Sequence, residues 1–367
     1  MSKQLSVLIK PASSLCNLRC KYCFYSDVSE NRTVASTGIM ERSTCEILIK
    51  RIADELEEHG TVNISFQGGE PTMAGLDYFR SFISMMKQYP DIIPVYSIQT
   101  NGTMIDKDWA EFFKENSFLV GVSLDGYQTN MDKFRYDPLK RSIFYKVLRG
   151  IDELDKAGVE YNILTVVTSE LARHPDALFK FLATHNFNYV QLIPCLPGLN
   201  DKENEMALTP ELFLSFYKEF FTCWNHNYLN GSVSMNVNLF ENLAGMLKGY
   251  PPYQCGMLGE CSIQYVIEAN GDVYPCDFYC LDEYLLGNIK DSSFDELRNS
   301  INAAEFFSGS GCTKKPCKTC KYIKICNGGC RRQSICYLKD DYCAYQELLD
   351  SILPVIYRYI QSNHQNQ

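Results

Sequence analysis

No apolar run in this 367-residue chain approaches the roughly 20 consecutive apolar residues that a membrane-spanning helix needs. Residues 1–10 lack the long apolar core and the cleavage site of a secretory signal, so a cytoplasmic location is expected. Positive charge is in deficit: 35 Lys and Arg stand against 44 Asp and Glu, a net charge of −9. Phosphate backbones call for a basic face, so neither nucleic acid nor a membrane surface is expected as a partner. Histidine is scarce, with five in all, and none lies beside the first group of cysteines. That weighs against a mixed Cys/His zinc site there.

What the chain has in excess is cysteine, 17 residues of it. In a secreted chain these would be disulfides, whereas in a reducing compartment metal ligation is the better expectation. The rest of the composition, 46% hydrophobic and 22% charged, is that of a globular protein. The length exceeds what a single core usually fills, which predicts one large domain and a smaller one.

The stretch Cys16-Asn17-Leu18-Arg19-Cys20-Lys21-Tyr22-Cys23 spaces three cysteines as C-x3-C-x2-C. Three thiolates hold three irons of a [4Fe–4S] cluster and leave the fourth iron open to a substrate or cofactor, which favours catalysis over plain electron transfer. A zinc knuckle is the bland alternative, and it lacks a fourth ligand.

Short apolar runs at residues 7–9, 62–66, 96–98, 118–122, 163–167 and 189–193 read as strands. A helix with apolar positions Cys45, Leu48, Ile49, Ile52 and Leu56 is expected to be capped by Ser43, and a second carries Val147, Ile151 and Leu154. Strands alternating with helices predict a parallel sheet with right-handed crossovers. Polar or Gly-rich segments follow nearly every strand: the cysteine loop, Gln67-Gly68-Gly69-Glu70-Pro71, Gln99-Thr100-Asn101-Gly102, Ser123-Leu124-Asp125-Gly126 and Pro194-Cys195. In barrel folds such strand ends form the active-site rim. Gly68 and Gly69 would let backbone approach a ligand, and Glu70 would accept a hydrogen bond from an ammonium.

On the C-x3-C-x2-C motif and the Gly-Gly-Glu-Pro loop, the chain resembles the radical S-adenosylmethionine (SAM) enzymes. The resemblance implies a partial (β/α)6 TIM-type barrel, with Gly68, Gly69 and Glu70 at the SAM amino group. Ser123 and Asp125 fall near the ribose, Ile193 near the adenine, and Arg135 either meets the SAM carboxylate or is a solvated surface charge. Residues 200–205 read as a polar loop and residues 213–229 as an aromatic-rich helix.

Cysteine density rises again after residue 254: Cys255, Cys261 and Cys276, then Cys317-x2-Cys320-x5-Cys326-x3-Cys330, then Cys343. Ala269-Asn270-Gly271-Asp272, flanked by apolar residues, reads as a hairpin turn. The cysteine pattern is similar to that of the SPASM extension of radical SAM enzymes. Eight cysteines suffice for two auxiliary [4Fe–4S] clusters, three clusters in all. By resemblance Cys255, Cys261, Cys276 and Cys330 hold one, and Cys317, Cys320, Cys326 and Cys343 the other. Spacing alone leaves the partition open, and tetrahedral zinc would suit thiolates too. Cys195 and Cys223 are expected to pack as small apolar residues; Cys280, Cys312 and Cys336 stand outside the pattern as spectators or alternate ligands. The expected α/β organisation is a barrel over residues 1–235, a C-terminal cysteine-rich SPASM domain over 236–346 and a terminal helix over 347–367.

Within that group the chain resembles the anaerobic sulfatase-maturating enzymes along nearly its whole length, most tellingly through Val273-Tyr274-Pro275-Cys276-Asp277-Phe278-Tyr279 and Gly328-Gly329-Cys330-Arg331-Arg332. This implies oxidation of a Cys or Ser in a sulfatase polypeptide, within the pattern Cys/Ser-x-Pro-x-Arg, to Cα-formylglycine. A 5′-deoxyadenosyl radical takes the Cβ hydrogen, a base takes the thiol or hydroxyl proton, and the second electron leaves through an auxiliary cluster. Asp277 is the candidate base, a solvated acid beside a metal ligand being the plain alternative; Tyr25 and Gln67 are expected to face the peptide. Oxygen is not needed, so an anaerobic bacterium is the implied host. A flavodoxin- or ferredoxin-type electron donor and a monomeric state are expected. One rival is a SPASM enzyme that crosslinks or epimerises a small ribosomal peptide; with the motif at Cys16 no room is expected for the leader-binding domain such enzymes often carry. A non-catalytic three-cluster electron carrier is the other, and it would need no Gly-Gly-Glu loop.

Overall fold

A computed structural model describes residues 3–201, 204–229, 231–308 and 314–364. Six strand-then-helix units follow one another in the first two thirds of the chain. Strands β1 (Gln4–Ile9), β2 (Gly60–Phe66), β3 (Ile92–Thr100), β4 (Leu119–Ser123), β5 (Tyr161–Val167) and β6 (Tyr189–Pro194) each precede at least one helix. The short β7 (Asn236–Val237), β8 (Val266–Ile267), β9 (Asp272–Tyr274) and β10 (Gly287–Asn288) come later.

The chain divides into two compact units with interleaved segments: residues 1–123, 132–161 and 262–309 make the first, residues 124–131, 162–261 and 310–367 the second. In the first, the strand order is β10-β9-β8-β1-β2-β3-β4. β8, β1, β2, β3 and β4 run parallel, and β9 and β10 complete the row as antiparallel neighbours. The hairpin read around Gly271 is β8–β9, and Gly271 has φ +96°, a left-handed turn position that suits glycine. In the second unit β5, β6 and β7 are parallel.

The core of the first unit follows from alternation along its strands. Val62, Ile64 and Phe66 point inward from β2 and are fully buried, and Phe66 meets Phe79 and Phe82 of the helix Leu76–Met86 edge-on. Such aromatic pairs add about 0.5–1.5 kcal/mol beyond area burial. The helix Arg42–Glu55 buries Cys45, Leu48, Ile49 and Ile52. Its cap is not Ser43: that residue lies one position inside, and Glu41 occupies the N-cap without a side-chain hydrogen bond. Residues 202 and 203 of the expected loop, and Cys312, lie outside the described residues. The helix expected over 213–229 runs Pro210–Leu229, and the last helix, Ala344–His364, starts three residues before the expected boundary. Among the described residues no helix is long and apolar enough to cross a membrane.

Candidate active site and cluster-binding sites

Parallel pairing in register brings the strand ends of the first unit to one edge. Ile9 lies opposite both Phe66 and Ile267, so the residues that follow, Lys10, Gln67 and Glu268, emerge side by side. The cysteine loop leaves from the same edge. Ser13 and Leu15 donate to the Lys10 and Ala12 carbonyls in tight turns, and the Gly-Gly-Glu loop then lies along them. The Gly69 N–H donates to Ser13 O and the Glu70 N–H to Leu15 O, both at 2.8 Å.

Close packing against the cysteine loop requires glycine at both positions. A Cβ at Gly69 would stand 2.2 Å from the Leu15 carbonyl oxygen, and one at Gly68, which has φ +129°, 2.9 Å from that of Ser13. What the two glycines approach is the backbone of the cysteine loop.

Glu70 is tied to the protein as well. Its carboxylate is fully buried and already accepts four hydrogen bonds: from Thr72 N–H (3.1 Å), Thr72 Oγ1 (2.6 Å), Thr100 Oγ1 (2.7 Å) and Asn101 N–H (2.7 Å). Three of the four end on Oε1 and one on Oε2, and together they make the side chain a brace between the ends of β2 and β3. Burial pushes its carboxyl above the usual range, while the N–H and hydroxyl donors of Asn101, Thr72 and Thr100 pull it back.

Among the three cysteines, Cys16 Sγ accepts from Leu18 N–H (3.4 Å) and Asn101 Nδ2 (3.9 Å), and Cys23 Sγ caps the helix Phe24–Glu30 by accepting from Ser26 N–H (3.4 Å). Asn101 also donates to Asn17 Oδ1 at 2.8 Å and so fixes the loop from the β3 side. Burial raises the Cys16 thiol; Arg135 pulls it the other way. Arg135 is buried and donates to Tyr22 Oη at 3.2 Å, so it is no solvated surface charge. A thiolate at Cys16 therefore has a cation and amide donors ready, which fits an iron–sulfur cluster.

Asp277 opens the single 3₁₀ turn Asp277–Tyr279 after β9, and Phe278 beside it packs edge-on against Phe24 (5.1 Å). The Asp277 carboxylate is 8% exposed as a residue, forms an ion pair with Lys10 and accepts from Gln67 Nε2 at 2.9 Å. Lys10 is 0% exposed, with its Nζ 3.5 Å from the centroid of the Tyr25 ring. Burial pushes the Lys10 ammonium down, but Asp277, with Cys280 and Glu268, more than offsets this and holds it above its ordinary value. Tyr25, expected to face the peptide, is buried; its hydroxyl donates to Glu268, which also pairs with Arg32 at 2.7 Å. Burial and the Glu268 charge hold the Tyr25 hydroxyl well above its ordinary value, so it keeps its proton. Sequence reading passed over Lys10, Arg32 and Glu268. A lysine directly after an apolar strand and before Pro11 was the available signal for the first of these.

In the second unit Asp125 is buried and accepts from the Val166 N–H at 2.9 Å, and Val166 lies opposite half-buried Ile193, which brings those two residues to the same end of β5. Ser123 is the last residue of β4 in the first unit. Cys317, Cys320, Cys326 and Cys343 line one cavity together with Tyr322 and Tyr345. Tyr345 Oη is buried there without a hydrogen-bond partner. An orphaned donor among four thiols is what a sulfur-rich cluster would satisfy, so the residues fit that group. Cys255, Cys261 and Cys330 line a second cavity with Gly256, Lys314 and Arg331; Cys276 belongs to the first unit. Cys280 and Cys336 are fully buried thiols whose Sγ donate to the Cys276 and Cys195 carbonyls.

The Radical SAM superfamily profile matches residues 11–182, and that of an iron–sulfur cluster-binding (SPASM) domain matches residues 259–321. A cysteine-type anaerobic sulfatase-maturating enzyme of Clostridium novyi (strain NT) is 45% identical over 334 residues, covering 90% of this chain and 88% of the relative. A serine-type enzyme of Bacteroides thetaiotaomicron is 30% identical over 354 residues, covering 90% and 83%. The solved structure of native anSMEcpe with bound AdoMet superposes with a TM-score of 0.89 at 38% identity, over 98% of this chain and 99% of that one. The same protein with AdoMet and the Kp18Cys peptide gives 0.89 at 37% identity, over 98% and 100%. The fold is a radical SAM partial barrel with a SPASM domain, and the chain belongs to the family of anaerobic sulfatase-maturating enzymes.

Proposed function

We propose that the protein converts a cysteine within the Cys-x-Pro-x-Arg pattern of a sulfatase polypeptide to Cα-formylglycine, and a serine in the same place less readily. Relatives at 45% and 41% identity are named cysteine-type, and serine-type relatives stand at 30% and 29%. When bound, SAM and the iron–sulfur cluster at Cys16, Cys20 and Cys23 supply hydrogen-atom abstraction from the substrate Cβ.

The observation that carries the reading is the Lys10–Asp277–Gln67 arrangement at the strand-end edge. Asp277 takes the proton from the substrate thiol or hydroxyl. Gln67 fixes the orientation of its carboxylate, and Lys10 is the counter-ion that keeps a charge in so dry a place. Tyr25, with its hydroxyl committed to Glu268, packs under Lys10 and holds it toward Asp277. Arg135 is the cation for the SAM carboxylate; Ser123, Asp125 and Ile193 attend its nucleoside end. Cys255, Cys261, Cys276 and Cys330 would hold one auxiliary cluster; Cys317, Cys320, Cys326 and Cys343 would hold the other. The chain acts in the cytoplasm as a monomer and draws electrons from a flavodoxin- or ferredoxin-type donor.

The test is anaerobic incubation with SAM, dithionite and a Cys-x-Pro-x-Arg peptide. The peptide should lose about 18 Da as CH2–SH becomes an aldehyde. Consumption of SAM with only a two-hydrogen loss and an intrapeptide crosslink would make this a crosslinking enzyme instead.

A further inference from the structure

The cavity lined by Cys317, Cys320, Cys326 and Cys343 holds one polar group that no protein atom satisfies. Tyr345 is 6% exposed, its ring is clamped against Tyr337 (5.3 Å) and Phe213 (6.1 Å), and its hydroxyl has no partner. A buried hydroxyl left unpaired costs about 1–3 kcal/mol, and a ligand in this cavity that supplied an acceptor would remove that cost. A second feature points into the same cavity. Cys343 immediately precedes the 21-residue helix Ala344–His364 and so stands at that helix's N-terminus. The positive end of a long helix and a phenol donor thus converge on one set of thiols.

We propose that the Tyr345 hydroxyl donates a hydrogen bond to a sulfur of the cluster held by these four cysteines and thereby raises that cluster's reduction potential. The inference rests on the assignment of a [4Fe–4S] cluster to this site. The physical reason is that reduction adds negative charge to the sulfurs, so a donor aimed at them strengthens its bond in the reduced state; hydrogen bonding to sulfur is among the levers that set such potentials. Tyr345 is a positioning residue for electron transfer and touches no substrate. Tyr322 lines the same cavity, but its hydroxyl is committed to Asp350, so it supplies an internal control.

The experiment is an EPR-monitored redox titration of the anaerobically reconstituted protein beside Tyr345→Phe and Tyr322→Phe. Tyr345→Phe should keep its full iron and sulfide. One cluster of the three should become harder to reduce by about tenfold in its equilibrium, which for one electron is about 59 mV. Tyr322→Phe should leave all three potentials where they were. Full iron with unchanged potentials in Tyr345→Phe overturns the proposal, as does an equal shift of every cluster or a loss of iron, since each marks a structural role. The site assignment is checked separately: Cys317→Ala with Cys320→Ala should remove one cluster's worth of iron, and retention of all iron there overturns the assignment itself.

Discussion

The ammonium of Lys10 and the carboxylate of Asp277, 267 residues apart in sequence, form an ion pair in which the Lys10 side chain is wholly buried and that of Asp277 is 11% exposed. Two elements meet to make it. Lys10 follows β1, and Asp277 follows the β8–β9 hairpin, whose first strand pairs with β1. The pair is thus a consequence of sheet order, and it supplies the only charged partner that a base at position 277 is shown to have among the described residues.

Replacing Asp277 with Asn keeps the size of the side chain and a hydrogen-bonding group for Gln67, but removes the basic carboxylate. The variant should still cleave SAM when peptide is present and still move deuterium from the substrate Cβ into 5′-deoxyadenosine. Formylglycine should form more slowly by roughly 10²–10⁴, the usual contribution of a positioned general base. Mass spectrometry of peptide and nucleoside in one reaction reads both. Product at the normal rate would move the base elsewhere; loss of iron would make Asp277 a support for the neighbouring ligand Cys276.

Removing Lys10 tests the pair through its pH dependence. Lys10→Met leaves the Asp277 charge without its counter-ion and should destabilise the protein by about 3 kcal/mol, the lower end of the range for breaking a buried pair, since Asp277 keeps some access to water. Because the Lys10 ammonium is held above its ordinary value of 10.5, the folded chain keeps a proton there that the unfolded chain releases near that value. In that interval the folded state binds more protons, so each rise in pH favours unfolding. The pair's contribution is therefore complete below 10.5 and fades as pH climbs through the raised value. Denaturant melts from pH 8 upward should show a wide gap between wild type and Lys10→Met that closes only in the alkaline limb; a constant gap would mean that packing, not charge, is what Lys10 contributes.

Glu70→Gln separates a brace from a ligand. The amide retains one acceptor oxygen and turns an N–H₂ toward the donors of Thr72, Thr100 or Asn101, so at least one buried donor loses its partner. A cost of about 1–3 kcal/mol in stability follows, visible as a shifted unfolding midpoint without bound SAM. Weaker SAM binding at unchanged stability would mark the carboxylate as a direct partner of the SAM ammonium.

The chain's order of elements, its cysteine loops and its hairpin were legible because each depends on neighbours in sequence. Period-two alternation places Val62, Ile64 and Phe66 on one face of β2, helical spacing buries Cys45, Leu48, Ile49 and Ile52, and Gly271 takes the left-handed turn position that glycine alone adopts freely. The ligand triplet at Cys16, Cys20 and Cys23 is equally local. Tertiary structure alone decided what the polar side chains do. Glu70 looks like an open carboxylate until Thr100 and Asn101, some 30 residues on at the end of β3, donate hydrogen bonds to it. Tyr25, read from the sequence as facing the peptide, has its hydroxyl taken by Glu268, and only the fold sets Asp277 beside Lys10. Backbone propensity and hydrophobic period act over a few residues and can be read along the chain, whereas a buried charge is tolerable only beside a partner, and which partner that is depends on strand order across the sheet.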